Sequence, residues 1–151
     1  MIYILIYIVM AHKVEVIVET SKDGFGCFVS KDSREELQGI NGAGKTAKAA
    51  IDDFLLCRDE VKQWLQEEGK DFPDVEFEYI FDVGAFLNYY PINVTAFAKY
   101  IGMNASLLRQ YATGIKEPKA KNVEKIRQGI ATIAHDIGAG RLIDKPVLQY
   151  V

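Results

Sequence analysis

The stretch Val94–Thr113, VTAFAKYIGMNASLLRQYAT, constrains the fold more than any other part of the chain. Small Ala98 stands where one helix must lie close to a second. Gly102 follows, where a tight turn needs a residue that tolerates positive φ. Met103 is placed to plug the angle between the helices. Phe97 and Ile101 give the first helix an apolar face, and Leu108 and Tyr111 do the same for the second. Asn104, Ser106, Arg109 and Gln110 therefore point outward together. Small, glycine and apolar positions all match one template, a helix-turn-helix. An ordinary pair of packed helices accounts for fewer of them. In a DNA-binding helix-turn-helix the outward face of the second helix enters the major groove.

The longer run FAKYIGMNASLLRQYATGIKEP resembles the Cro/repressor class of helix-turn-helix, including Gly114 and Pro118 after the second helix. Together with what precedes it, from about Lys13 to Leu142, the chain resembles the HicB antitoxin family. That resemblance implies an α+β protein. A partial, degenerate RNase H-like domain of order β-β-β-α-β would precede an all-α DNA-binding domain. It also implies two partners, an operator and a HicA-like toxin, the latter a small basic RNase. The protein would be a homodimer or higher homo-oligomer in the cytoplasm, with no catalysis of its own. Its groove face would be Asn104, Ala105, Ser106, Arg109 and Gln110. Arg109 and Gln110 carry the donors and reach for base edges, whereas Ser106 and Lys116 suit phosphate.

Charge divides the chain near the same place. Lys13–Asp82 holds nine basic and seventeen acidic residues, net −8, and Val83–Val151 holds nine basic and four acidic, net +5. A basic half suits a polyanion and an acidic half repels one, so the halves are expected to have different partners. The expected divisions are residues 12–82 for the α/β domain and 83–142 for the helical one. Residues 1–11 form an apolar extension and 143–151 a tail. The opening run MIYILIYIVMA is too short to span a bilayer, which needs about 20 residues. It lacks the basic residues that precede a signal-peptide core, and translation is expected to start at Met10.

Within the first half, Val14, Val16 and Val18 alternate with Glu15 and Glu19 as a half-buried strand. Asp23-Gly24 makes a hairpin turn, and Phe25–Ser30 returns with Phe25, Cys27 and Val29 on one face. Arg34–Ile40 is expected to be the third strand. Thr46 can cap a helix to about Glu68 whose buried stripe is Ala47, Ile51, Phe54, Leu55, Val61, Trp64 and Leu65. The alternation of Val75–Asp82 suits a half-exposed antiparallel strand. In the second half, Val83–Tyr90 reads as a short helix. A last helix, about Lys121–Ile137, repeats Ile126, Ile130, Ile133 and Ile137 to close the domain's own core, to form a dimer seam, or both.

GINGAGKT, Gly39–Thr46, satisfies the P-loop pattern, and Tyr79-Ile80-Phe81-Asp82 is a Walker-B-like run. A nucleotide-binding protein would use Lys45 on the phosphates and Thr46 and Asp82 on Mg²⁺. Against it, the chain has room for only one helix before residue 83, and REELQGI is too polar for a central parallel strand. A Gly-rich strand-to-helix link is the favoured reading. Glu15, Glu19, Glu76 and Glu78 are of a type to hold metal, but as outward residues of half-exposed strands they read as solubilising charge. His12 and His135 stand alone and there is no CxxC, so neither a metal site nor a cofactor is expected. Cys27 and Cys57 are expected to be buried, reduced thiols. A stand-alone regulator without a toxin partner remains the runner-up, and a P-loop protein the remote alternative.

Overall fold

The computed structural model describes residues 12–31 and 34–143. The apolar opening, the expected start at Met10 and the tail from residue 144 lie outside these. Val14, Val16 and Val18 are buried on one side of β1 (His12–Ser21), with Glu15 and Glu19 exposed on the other. The turn at Asp23-Gly24 leads into antiparallel β2 (Gly24–Val29), where Phe25, Cys27 and Val29 join the same buried side.

The next segment departs from expectation. Residues Arg34–Ile40 form no strand, and Glu35–Gln38 make a single helical turn, α1. Leu37 and Ile40 are both fully buried, a spacing of three that brings two side chains to one side of a turn. The third strand, β3, is Asn41–Gly44, inside the glycine-rich run itself, antiparallel to β2. Its glycines let it lie directly under the following helix. A Cβ on Gly42 would stand 2.2 Å from the Phe54 nitrogen and 2.4 Å from the Ala50 carbonyl oxygen.

That helix, α2 (Ala47–Glu67), begins where Thr46 accepts a hydrogen bond from Ala49 N–H. Ala47, Ala50, Ile51 and Phe54 are buried in its first half, but only Leu65 is fully so in the second. Trp64, expected in the stripe, is 55% exposed, because the packed stripe narrows along the helix. Phe54 meets the rings of Phe77 and Tyr79 edge-on.

The fourth strand, β4 (Val75–Phe81), pairs with β1 in parallel, not antiparallel as its alternation suggested. The sheet order is β3-β2-β1-β4. Alternation reports one-sided burial, not strand direction. With the helical cover among the described residues on one face, even a parallel pair keeps an open side.

The chain is thus mixed α+β, with a four-stranded sheet and helices that continue after it. These are α3 (Val83–Tyr89), α4 (Val94–Ile101), α5 (Ala105–Ala112) and α6 (Ala120–Ala139). Among the described residues no helix is long and apolar enough to cross a membrane. Two apolar clusters form. One lies between the sheet and α2, and the other gathers Leu87, Phe97, Ala98, Leu108, Tyr111 and Ile126. They meet at α3, whose Ala85 belongs to the first cluster and Leu87 to the second.

The isoleucine stripe of α6 is split. Ile126 is buried, Ile130 and Ile133 pack partly against the second cluster, and Ile137 is 72% exposed. The outer end of the stripe, with Tyr90, Ala96 and Tyr100, lines an apolar groove of about 710 Å³.

Candidate nucleic-acid interface

Helix α4 starts on Asn93, whose side chain accepts from Ala96 N–H at 2.9 Å. It stops at Gly102, which adopts φ 65°, ψ 38°, a left-handed conformation that a side chain would strain. Met103 N–H then donates to the Ala98 carbonyl at 2.8 Å, closing the turn. Lys125 of α6 fastens it from outside, its Nζ donating to the Gly102 carbonyl at 2.9 Å. Helix α5 begins on Asn104, whose Oδ1 accepts from Leu107 N–H. Fully buried Ala98 and Leu108 sit in the core these helices share. Local capping, one left-handed glycine, Lys125 of α6 and the shared core therefore fix the angle between α4 and α5.

This geometry sorts the residues that the sequence singled out. At 100° per residue, Ser106, Arg109 and Gln110 share one arc of α5, opposite buried Leu108 and Tyr111. Ser106 and Arg109 are exposed and Gln110 is half-buried. Thr113, unremarked in the sequence, extends the same arc just past the helix end. The Arg109 guanidinium also donates to Thr95 Oγ1 at 3.0 Å, bridging back to the first turn of α4. Asn104 and Ala105 lie at the start of the helix, and Asn104 is engaged there as a cap. Lys116 is not on the arc. Its N–H donates to the Gln110 carbonyl, and its exposed side chain lines a cleft of about 560 Å³ with Glu19, Thr20 and Asp82.

The P-loop lookalike has a different shape from a phosphate cradle. A cradle curls successive N–H groups around an anion. Here Asn41–Gly44 is extended and paired with β2. Ala43 N–H is taken by the Asp53 carboxylate at 2.9 Å. Lys45 Nζ donates to the Asp23 carbonyl at 2.9 Å, tying the β1–β2 turn to β3. Asp82, the Walker-B-like residue, caps α3 instead, accepting from Ala85 N–H. Lys45→Ala is therefore expected to leave the fold and oligomeric state unchanged and to alter no nucleotide binding. Calorimetry with ATP checks this, since saturable micromolar binding abolished by Lys45→Ala would restore the nucleotide reading.

Among the described residues no group of three or more His, Cys, Asp or Glu could hold a metal ion. Cys27 is buried, and burial pushes its thiol up to about 12, which keeps it protonated and unreactive. Cys57, expected to be buried, is only half-buried, because it lies on the flank of α2 near Gly39.

Comparison with protein-family models, with curated proteins and with solved structures gives no match for this chain. The functional reading therefore stands on the residues and their geometry.

Proposed function

We propose that the chain is an antitoxin-like transcriptional repressor. Its helical part reads operator DNA through α4 and α5 as a helix-turn-helix of the Cro/repressor class. Its sheet part, an RNase H-like half of HicB type, holds and neutralises a HicA-like RNase toxin. The observation that carries the reading is the capped, self-supporting α4–α5 pair, with the Ser106, Arg109 and Gln110 arc turned outward. The β-β-α-β-α-β order before residue 83, in which the first helix is the single turn α1, and the charge division, −8 before residue 83 and +5 after it, support it further. An acidic surface competes with RNA for a basic toxin. The reading makes the protein a cytoplasmic homodimer or higher homo-oligomer without enzymatic activity. Two copies would set their α5 helices about one DNA turn apart.

Arg109→Ala is expected to cost roughly 1–3 kcal/mol on operator and to relax discrimination at one base position. Lys116→Ala is expected to weaken operator and scrambled duplexes alike and to lower the salt slope by about one. Fluorescence anisotropy on both duplexes across a salt series measures these effects. Equal losses on both duplexes for Arg109→Ala would remove that residue from base readout. A wild-type protein with no preference for any duplex near its own gene would remove the operator reading.

A further inference from the structure

The sheet has two faces, and α2 covers only one of them. On the other face, cross-strand register places Ile17 between Phe28 of β2 and Ile80 of β4. This is a continuous apolar row across three strands, and Ile80 is 41% exposed. One row along, Glu15 stands directly beside Glu78, with Glu76 next to Lys13 beyond them. On the far side of the row Glu19 stands opposite Gly26, where an added Cβ would meet nothing within 4 Å. Glu15, Glu19, Glu76 and Glu78 are all exposed, and none forms an ion pair among the described residues.

Two features of this arrangement do nothing for the isolated fold. Like charges directly opposite each other on a sheet are destabilising. Ile17 and Phe28 are half-buried and Ile80 is exposed, and the part of the row that faces water gains nothing until something covers it. Both are relieved together by one kind of occupant, a surface with an apolar centre and basic residues around it. That is the usual anatomy of an interface, apolar at the middle and polar at the rim. A nucleic acid would be repelled by the carboxylates. A second copy of the same face would set acid against acid.

We propose that this open face, centred on Ile17, Phe28 and Ile80 and rimmed by Glu15, Glu19 and Glu78, is the docking surface for a small basic protein. The proposal rests on the antitoxin reading, for which that protein is the toxin. The apolar row supplies the buried centre of the contact. The carboxylate rim steers the encounter and fixes orientation, so association slows as salt rises.

The probe is the small basic protein expected from the adjoining reading frame, purified in catalytically inactive form and titrated against the full chain by calorimetry. Ile17→Lys/Ile80→Lys is expected to weaken binding at least 100-fold. Ile80→Thr, a milder change at an exposed position, is expected to weaken it about tenfold with the melting curve intact. Glu15→Gln/Glu78→Gln is expected to slow association and flatten its salt dependence. Trp64→Ala, on the helix side of the sheet, is the control and leaves affinity unchanged. A wild-type chain that binds no such protein overturns the toxin reading and this proposal with it. Wild-type binding that survives all three face variants overturns the proposal alone and leaves the toxin reading standing. Loss of self-association in place of toxin binding in the face variants also overturns it, because a second copy is then the occupant.

Discussion

Gly42→Ala is expected to lower the unfolding free energy by roughly 3 kcal/mol or more, while Gly39→Ala shifts it by less than about 0.5 kcal/mol. The two glycines are three residues apart in one run, yet their surroundings are opposite. A Cβ at Gly42 would meet the backbone of α2 in three places: Phe54 N at 2.2 Å, Ala50 O at 2.4 Å and Phe54 Cα at 2.8 Å. No rotamer change relieves a clash with backbone. Either α2 lifts off β3 or the strand leaves the sheet. Lifting α2 withdraws Phe54, which is fully buried and sits against Phe77 and Tyr79. Gly39 has nothing within 4 Å of its Cβ position, and its φ of −79° and ψ of −10° suit alanine. Urea unfolding followed by circular dichroism measures both variants. Equal losses would mean that close packing of strand on helix does not explain the glycine at position 42.

The same run marks where the sequence could and could not be read. Burial on β1 and β4 was legible because apolar and polar residues alternate there, and period two has one structural meaning; in β2, GFGCFV, it followed from the turn at Asp23-Gly24 and the register with β1. The identity of β3 was not. Asn41–Gly44 has almost no side chains with which to announce a strand, and what selects it is the helix lying on top. The neighbouring REELQGI imitated a strand by length, whereas the spacing of Leu37 and Ile40 carried the helical signal. Strand direction in β4 was illegible for another reason. It depends on where a crossover lands, and alternation is blind to that. The α4–α5 pair was the most legible part, because Asn93, Gly102 and Asn104 fix its ends locally, within a few residues of sequence. Its outward arc followed from those ends for Ser106, Arg109 and Gln110, but Asn104 and Ala105, read onto the same face, sit at the helix start, Asn104 as its cap, and Thr113 just past the terminus was not singled out. Lys116 was placed by type alone, and the loop after α5 carries it away from the arc and toward Glu19. The contact of Asp82 with Thr20 was hidden, since the two lie 62 residues apart, although its cap on α3 is local.

That hidden contact sets the second large effect. Asp82→Ala is expected to cost about 2–4 kcal/mol and to reduce the cooperativity of unfolding. One carboxylate oxygen of Asp82 accepts from Ala85 N–H at 2.7 Å, capping α3. The other accepts from both Thr20 N–H at 2.8 Å and Thr20 Oγ1 at 2.6 Å, at the end of β1. The residue therefore clamps the end of β1 in the sheet part to the first helix of the helical part. Gly84 lies against Thr20 and the Tyr111 carbonyl at the same seam. Removing a cap costs about 1 kcal/mol, and hydrogen bonds to a charged group contribute roughly 1.5–3 kcal/mol. Asp82→Asn should separate the two roles. Its amide oxygen can still cap α3, but its NH₂ group then faces Thr20 N–H, donor against donor, so an intermediate loss is expected. Thr20→Ala combined with Asp82→Ala should give less than the sum of the single losses, because both remove the same bonds. Calorimetric melting reads the joint directly. A clamp between two apolar clusters predicts that the single transition broadens or splits in Asp82→Ala. A variant that melts earlier but as sharply as the wild type would reduce Asp82 to a helix cap and leave the two clusters joined by other contacts. Operator affinity of the folded variant is expected to hold, since neither Asp82 nor Thr20 lies on the α5 arc. A loss of DNA binding that exceeds the loss of stability would instead make the seam part of how the two halves present that arc.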